Sequence, residues 1–247
     1  MAWLGTTGFP AFAASGLPEL IERIKPSIMA VGTFDKTRSP PFVMRGTGFA
    51  VGNGTLIATN AHVIPEALNT GSNEVLAVVQ VLPGGRATQR PASVVASDKT
   101  HDLAVLRIAG PPFPPLTLQS GELVREGQDV AFTGFPIGTV LGLAPVTHRG
   151  IISAITPVAI PSATAQQLNA KVISRLKTGS FEVYQLDGTA YPGNSGGPLF
   201  EPDQGEVIGV INMVFVKGTK ESALSQPSGI SYAIPVRYLQ ELLREVR

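Results

Sequence analysis

The sequence predicts a mostly β protein built from many short strands. Its 247 residues include 27 glycines and 21 prolines, and these fall between short apolar runs instead of inside long periodic ones. This spacing is typical of strands that are joined by turns. A hydrophobic fraction of 43% with only 15% charged residues is enough to bury a core in one large or two small domains. We therefore expect a folded chain and not a disordered one.

Two short amphipathic helices are predicted near the ends of this β-rich chain. Pro18 suits a first helical position, and apolar residues recur at three- and four-residue spacing up to Pro26, which predicts a helix over residues 18–25. At the other end, the stretch VRYLQELLREV repeats its apolar residues at helical spacing and predicts a C-terminal helix. Each helix should pack its apolar face on the body of the protein.

Strand-like runs begin at Phe42 and continue through most of the chain. They are FVMRGTGFAV, TLIATNAHVI, VLAVVQVL, PASVVAS, LAVLRI, DVAFTGFP, GIISAITPV and FEVYQL. A stretch rich in proline and polar residues, from about 110 to 128, divides them into two portions of similar size. Past the last of these runs, two further apolar segments predict a hairpin that turns at residues 203–205.

The first sixteen residues carry no charge and differ from the rest of the chain. Ala11, Phe12 and Ala13 form a small-x-small pattern like a signal-peptidase site, but a basic leading region is lacking and the apolar stretch is interrupted. A clipped export signal, an expression remnant and a flexible arm all remain open. No apolar run approaches the roughly 18 residues that span a bilayer, so no transmembrane helix is expected.

Charge and cysteine content exclude several classes of chemistry. A net charge of +1 without a basic cluster provides no positive field for nucleic acids or anionic lipids, so neither is an expected partner. Because the chain contains no cysteine, it has no disulfide, no thiolate zinc site and no cysteine nucleophile. We expect neither a metal nor a cofactor, and any covalent catalysis must use another nucleophile.

One serine lies in a glycine-rich heptapeptide, GNSGGPL, which runs from Gly193 to Leu199. Three glycines in five positions indicate a backbone that is bent into conformations that side chains would forbid, with Ser195 presented at the bend. A tight surface loop between strands explains the same residues without any chemistry. A catalytic serine needs a base, so the histidines decide between these explanations.

The chain has three histidines, and all of them precede Ser195. This order disfavours an α/β-hydrolase, in which the acid and the histidine follow the G-x-S-x-G serine. His62 follows an apolar strand and precedes Pro65, although a histidine in such a place also occurs as a purely structural residue. Asp102 opens the buried run LAVLRI, where an ionised carboxylate needs a partner such as an imidazole unless it faces solvent.

The other two histidines are not expected to take part in catalysis. His101 precedes Asp102 directly, and neighbours on a strand point to opposite faces of the sheet, so we expect it to be a bystander. His148 lies beside Arg149 and is expected in an exposed turn or strand.

Together, the segments TNAHV, HDLAVL and GNSGGPL, with GTGFAVG ahead of the first, resemble the trypsin-like serine proteases and most closely their HtrA/DegP branch. The resemblance runs from about Leu17 to the end of the chain. It implies two antiparallel six-stranded β-barrels, with the active site in the cleft between them and a short helix at each end. The implied division is an N-terminal arm or signal remnant at 1–16, a helix and first barrel at 17–118, and a second barrel and C-terminal helix at 119–247.

The resemblance also implies the roles of individual residues. His62 is the expected general base, Asp102 the carboxylate that orients its ring, and Ser195 the nucleophile. The backbone N–H groups of Gly193 and Ser195 are expected to form the oxyanion hole. The substrate pocket is expected to be uncharged and to favour small or medium aliphatic residues. Its implied lining residues are Thr189, Ala190, Ile211, Asn212 and Met213.

The expected function is that of a serine endopeptidase, which hydrolyses peptide bonds of unfolded or damaged proteins through a His-Asp-Ser triad and an acyl-enzyme intermediate. A catalytically silent, chaperone-like protein that binds peptides with the same fold is the alternative, and an esterase is a third possibility. The resemblance implies polypeptide partners and an extracytoplasmic location, periplasmic or secreted, in a bacterium.

Two departures from the HtrA pattern affect regulation and assembly. HtrA-type chains usually continue into a peptide-binding PDZ domain, whereas this one stops at Arg247. The connector at 160–180 is long and is either a regulatory loop or a tolerated insertion. Members of the family commonly form homotrimers through their N-terminal segments, where Trp3, Phe9 and Phe12 are the expected contacts here.

Overall fold

The computed structural model describes residues 16–66, 73–81, 86–120, 124–138, 143–157, 181–213 and 229–246. Within these ranges, two helices, α1 and α2, flank twelve strands. The helices are α1 (Leu17–Ile24) and α2 (Val236–Arg244). The strands are β1 (Ile28–Phe34), β2 (Phe42–Val51), β3 (Leu56–Asn60), β4 (Val75–Val81), β5 (Ala87–Asp98), β6 (Leu103–Ile108), β7 (Asp129–Gly134), β8 (Val146–Pro157), β9 (Glu182–Asp187), β10 (Pro198–Phe200), β11 (Val207–Asn212) and β12 (Ile230–Pro235).

The strands close into two antiparallel barrels of six strands each, which confirms the predicted fold class. In the first barrel the order is β1-β2-β3-β6-β5-β4, and β4 pairs with β1 to close it. In the second barrel the order is β10-β11-β12-β9-β8-β7, and β7 pairs with β10. The strands coincide with the predicted apolar runs and hairpin, except that β1 and β12 were not among them. Six of the seven residues of β1 are buried, so it lacks the alternation that marks a half-exposed strand.

A single apolar cluster passes from one barrel to the other. It contains Phe49 and Leu103 of the first barrel together with Phe200 and Val207 of the second, all fully buried. Helix α2 adds Leu239 to the same cluster. The two barrels therefore share a core, and residues that lie between them are held in fixed positions by packing.

Helix α1 reaches across to the second barrel, although the sequence groups it with the first. Its buried residue Leu20 lies so close to the turn between β10 and β11 that a Cβ on Gly205 would be 2.4 Å from Leu20 Cδ1. The Arg23 guanidinium also donates to the carbonyl oxygen of Gln204 at 3.1 Å. Neither helix of the described residues has the length and hydropathy to cross a membrane.

Replacing Leu20 by alanine should lower the free energy of unfolding by about 3 kcal/mol, because it leaves a cavity in the cluster that both barrels share. The measurement is equilibrium urea denaturation, followed by circular dichroism. Glu22 is exposed on the same helix and gives the matched control, Glu22→Ala, which should change stability by less than about 0.5 kcal/mol. Equal effects of the two substitutions would contradict the assigned packing of α1.

Candidate active site

Asp102 contacts His62 through two hydrogen bonds within the first barrel. The His62 Nδ1 and Asp102 Oδ2 atoms are 2.6 Å apart, and the backbone N–H of His62 donates to Asp102 Oδ1 at 2.8 Å. A carboxylate only accepts hydrogen bonds, so the Nδ1 atom of His62 carries the proton. The ring is therefore fixed in orientation and tautomer, and its Nε2 atom is the one left to accept a proton.

The chain path around β3 and β6 explains why these two residues meet. His62 lies in a 3₁₀ turn, Ala61–Val63, directly after the end of β3. Asp102 precedes the first residue of β6, and β3 pairs with β6 so that Asn60 lies opposite Leu103. Each side chain is thus one or two residues beyond a paired strand end. Asp102 has a φ of +54°, in the left-handed region that aspartate tolerates better than most residues.

A third donor reaches the Asp102 carboxylate from the second barrel. The side-chain amide of Asn212 donates from Nδ2 to Asp102 Oδ2 at 2.7 Å. Asn212 is the last residue of β11 and is fully buried. Asn212 was predicted only as a lining residue of the substrate pocket. In the structure its side chain contacts the Asp102 carboxylate.

Ser195 lies in a turn that only glycine neighbours allow. Gly193 has a φ of +104° and Gly196 a φ of +86°. A Cβ at Gly193 would lie 2.2 Å from the carbonyl oxygen of Phe135, and one at Gly196 would lie 2.1 Å from that of Thr47. Side chains at either position would push this turn out of place. Gly196 thus allows the turn to approach the first barrel, and Gly193 allows it to approach the segment after β7 of its own barrel.

Both barrels contact Ser195. The backbone N–H of Thr47 in β2 donates to the Ser195 carbonyl oxygen at 2.8 Å. The Ser195 side chain is almost fully buried, and its Oγ atom accepts from the backbone N–H of Met213 at 3.3 Å. No hydrogen bond joins the Ser195 hydroxyl to the His62 ring among the described residues. Because Met213 follows Asn212, the end of one strand contacts both Ser195 and Asp102.

Two N–H groups of the serine turn have no acceptor in the part of the chain that the structure describes. They are those of Gly193 and Ser195, whereas the N–H of Asn194 between them donates to the Tyr191 carbonyl oxygen at 3.0 Å. The Pro192 carbonyl oxygen accepts from a backbone N–H in the 135–138 loop, that of Ile137, at 2.7 Å. The C=O and N–H of a trans peptide point in opposite directions, so the N–H after Pro192 points away from that loop.

The hydroxyl of Thr47 connects the serine turn to the segment that follows β7. Thr47 was not among the residues predicted from the sequence. Its Oγ1 atom donates to the Gly193 carbonyl oxygen at 2.6 Å and accepts from the Phe135 N–H at 3.1 Å. Thr47 is fully buried. The sequence contains one sign of this role. Thr47 is a small polar residue between two glycines in GTGFAVG, within a strand that is otherwise apolar there. One side chain of the first barrel thus fixes two segments of the second.

The residues expected to line the substrate pocket have uncharged side chains. Three of them belong to one apolar cluster of the second barrel: Ala190, Ile211 and Met213. Thr189 is half-buried beside this cluster. Asp187, the nearest acidic residue along the chain, is exposed at the end of β9. A carboxylate that would bind a basic substrate side chain is therefore not among these residues.

Ser231 holds the backbone next to the expected pocket residues Thr189 and Ala190. It was not among the residues predicted from the sequence. It is fully buried in β12, where its hydroxyl accepts from the Ala190 N–H at 2.8 Å and donates to the Gly188 carbonyl oxygen at 2.6 Å. These two bonds hold the backbone on both sides of Thr189. No motif indicated Ser231, because a serine in a strand has no characteristic pattern.

His101 and His148 do not join His62 and Asp102. His148 lies on β8, but it is half-buried and stacked on Phe132 with ring centroids 4.9 Å apart, so the exposed position predicted for it is wrong. Burial lowers the pKa of His148 and keeps its ring neutral at neutral pH. His101 bonds Asp98 and makes no hydrogen bond to Asp102 among the described residues.

Comparison with known proteins finds serine proteases among the relatives of this chain. The sequence profile of the trypsin-like peptidase domain matches residues 46–210. A probable periplasmic serine endoprotease, DegP-like, of Halomonas elongata is 33% identical over 206 residues, which cover 82% of this chain and 35% of that protein. The mitochondrial serine protease HTRA2 of Drosophila pseudoobscura is 33% identical over 205 residues, which cover 83% of this chain and 39% of that protein.

A solved structure has the same fold. The HtrA-type protease AlgW with a tripeptide superposes with a TM-score of 0.63 at 25% identity, over 94% of this chain and 64% of that chain. The chain spans between 35% and 39% of the length of the two relatives named above. The profile match and these relatives together establish that the chain belongs to the trypsin-like peptidase domain family, and within it to the HtrA-type serine proteases.

Proposed function

We propose that this chain is a serine endopeptidase that cleaves peptide bonds of unfolded or damaged proteins through His62, Asp102 and Ser195. The observation that carries the proposal is the Asp102 carboxylate, which binds the His62 ring and also binds Asn212, the neighbour of the residue that contacts the Ser195 hydroxyl. A neutral imidazole held in this way is the base that a serine hydroxyl needs in order to become a nucleophile.

The serine must first turn toward its base. In the structure the Ser195 Oγ accepts a long hydrogen bond, 3.3 Å, from the Met213 N–H. Such a bond is weak. In the proposed mechanism, a rotation of the side chain about its Cα–Cβ bond exchanges it for one to the Nε2 atom of His62. Catalytic hydrogen bonds are often long or misaligned before the substrate binds and shorten in the complex. We therefore assign the rotation to substrate binding.

The chemical steps follow from these positions. The Ser195 Oγ attacks the carbonyl carbon of the substrate while its proton passes to His62 Nε2, and the oxyanion that forms accepts from the N–H groups of Gly193 and Ser195. The imidazolium then gives this proton to the leaving amine as the C–N bond breaks, which leaves an ester on Ser195. Water attacks the ester as His62 takes one of its protons. The imidazolium then gives this proton to the Ser195 Oγ as the ester bond breaks, which releases the acid product and the free serine. Asp102 stays ionised and stabilises the imidazolium throughout.

The substrate class follows from the uncharged region around Ala190. Without a carboxylate among the expected lining residues, a lysine or arginine side chain would be desolvated without a partner. Small or medium aliphatic side chains lose little by entering an apolar site. Unfolded polypeptides expose such residues in extended form, so they are the substrates that we propose.

A peptide-binding protein without catalytic activity is a second candidate. The observation that favours it is the contact of the Ser195 hydroxyl with Met213 in place of His62. If this contact persists when a peptide binds, the same cleft would hold the peptide without cleaving it.

Location and assembly are proposed from the relatives. Since one relative is named as periplasmic and another as mitochondrial, we propose a compartment outside the cytosol.

We also propose a homotrimer formed through the N-terminal segment. Its residues Trp3, Phe9 and Phe12 lie outside the described residues. The connector at 160–180 also lies outside them. Sedimentation velocity on the full chain should give the mass of a trimer, and a monomer at all concentrations would contradict this proposal.

Substituting Ser195 by alanine should abolish covalent labelling by a fluorophosphonate probe and also abolish cleavage of unfolded casein, because the attacking oxygen is gone. The far-UV circular dichroism of Ser195→Ala should match that of the parent chain. Labelling that persists in the variant would rule out Ser195 as the nucleophile. Binding of casein by the parent chain, with neither labelling nor cleavage, would instead support the second candidate.

Substituting Thr47 by valine should lower kcat/KM by roughly tenfold to a hundredfold, somewhat less than the loss of a whole oxyanion donor. Valine keeps the shape of threonine but leaves the Gly193 carbonyl and the Phe135 N–H without their shared partner. Thr47→Ser retains the hydroxyl and should recover most of the activity. Steady-state hydrolysis of a peptide substrate measures both variants, and equal activity in the two would show that the hydroxyl is irrelevant.

A further inference from the structure

The turn that leads into Asp102 is closed by a second aspartate, Asp98. Its Oδ1 atom accepts from the backbone N–H groups of Thr100 at 2.8 Å and His101 at 3.1 Å. Its Oδ2 atom accepts from the ring Nδ1–H of His101 at 2.5 Å. Burial alone would raise the pKa of the Asp98 carboxyl, but the hydrogen bonds from His101 and Thr100 hold it below its usual range. Asp98 is therefore a charged acceptor that shapes residues 98–101.

The ring of His101 also packs against the second barrel. It stacks on Tyr238 of helix α2, with ring centroids 4.0 Å apart and planes inclined by 16°. It meets Phe181, just before β9, edge to face at 4.7 Å. Phe181 and Tyr238 contact each other at 5.6 Å. His101 is thus held between a carboxylate of the first barrel and two aromatic rings of the second.

Tyr238 is itself anchored. The Arg237 guanidinium hydrogen-bonds the Tyr238 hydroxyl at 3.0 Å and lies 4.8 Å from the centre of its ring. Arg237 also pairs with Glu182, the first residue of β9, at 2.7 Å. The start of α2 and the start of β9 therefore present one aromatic surface, formed by Phe181 and Tyr238, to His101.

The aromatic surface of Phe181 and Tyr238 affects Asp102 through the backbone that joins His101 to Asp102. The Asp102 φ of +54° lies in the left-handed region, which costs energy even for aspartate, so neighbouring contacts help to hold it there. On one side, the Asp102 carbonyl oxygen accepts from the Ala61 N–H and from the Asn60 side-chain amide, both at 3.0 Å. On the other side, the preceding residue is His101, which is fixed by its ring.

We propose that His101 is a positioning residue for Asp102, and that its contacts with Asp98 and Tyr238 keep the carboxylate aligned with the His62 ring. This inference rests on the proposed function. It makes helix α2 a part of the catalytic apparatus, because a displacement of Tyr238 shifts His101 and with it the residue that orients the base. The sequence gives no sign of this role for His101, because the residue acts on Asp102 through the backbone and not through a direct bond.

Three substitutions of His101 separate its two contacts. His101→Asn keeps a side-chain N–H for Asp98 but removes the stacking, His101→Phe keeps the stacking but removes the bond, and His101→Leu removes both. We expect kcat to fall by about threefold in the first two and by at least about tenfold in the third, since small displacements of catalytic groups have large kinetic costs. KM should change by less than about twofold, because no substrate contact is lost.

Variants of the partner residue provide the matched comparison. Tyr238→Phe retains the stacking and should keep near-parental kcat, whereas Tyr238→Leu should lower it. The double variant His101→Leu, Tyr238→Leu should lose no more than the larger single effect, because both substitutions remove the same contact. Ile108→Ala removes packing from a separate cluster of the first barrel, at the end of β6 farthest from Asp102, and controls for general destabilisation. An equal loss of kcat in Ile108→Ala, measured well below its unfolding temperature, would overturn the proposal, as would unchanged kcat in His101→Leu.

A spectroscopic measurement keeps this test independent of catalysis. The proton between His62 Nδ1 and Asp102 Oδ2 should give a low-field ¹H NMR resonance, whose position reports the alignment of the two groups. We expect this resonance to shift or broaden in His101→Leu and to stay in place in Ile108→Ala. If the parent chain neither labels nor cleaves, the proposed function fails but this readout still applies. An unmoved resonance in His101→Leu would overturn the positioning role.

Discussion

The structure depends on a negative charge that is held between two barrels. The Asp102 carboxylate accepts three hydrogen bonds, two from His62 and one from the amide of Asn212. A carboxylate largely removed from water is strongly unfavourable unless such donors replace its hydration, so its position is determined by them. Because the donors come from the end of β3 and the end of β11, the carboxylate also fixes how the two barrels meet.

The serine turn is positioned by the absence of side chains. Gly193 and Gly196 bring their backbones against Phe135 and Thr47 at distances that no Cβ would allow. The Thr47 hydroxyl then satisfies polar groups that this close approach would otherwise bury without partners. Packing and hydrogen bonding thus act together here, and the N–H groups of Gly193 and Ser195 are left without an acceptor among the described residues. Ser231 likewise uses one buried hydroxyl to bond two backbone groups, those of Gly188 and Ala190, beside the expected pocket.

The sequence predicted most of the fold, since strands such as β2 and β6 coincide with their apolar runs and glycines mark the turns. It also led to His62 and Asp102, whose types and order suit catalysis and which the structure brings into contact. Asn212, Thr47 and Ser231 were not predicted in the roles observed, because a buried polar residue takes its role from partners distant in the chain. The aromatic contact of His101 with Tyr238 was missed for the same reason: 137 positions separate the two residues along the chain.

The shared bonds of Thr47 have a consequence for safety in the cell. A protease that stays active while partly unfolded endangers the proteins around it. Here the turn that bears the proposed nucleophile is completed by a threonine of the opposite barrel. If the barrels part, the Gly193 carbonyl loses this partner and the proposed reactive centre loses its support. Under the proposed function, activity therefore requires that the two barrels stay joined.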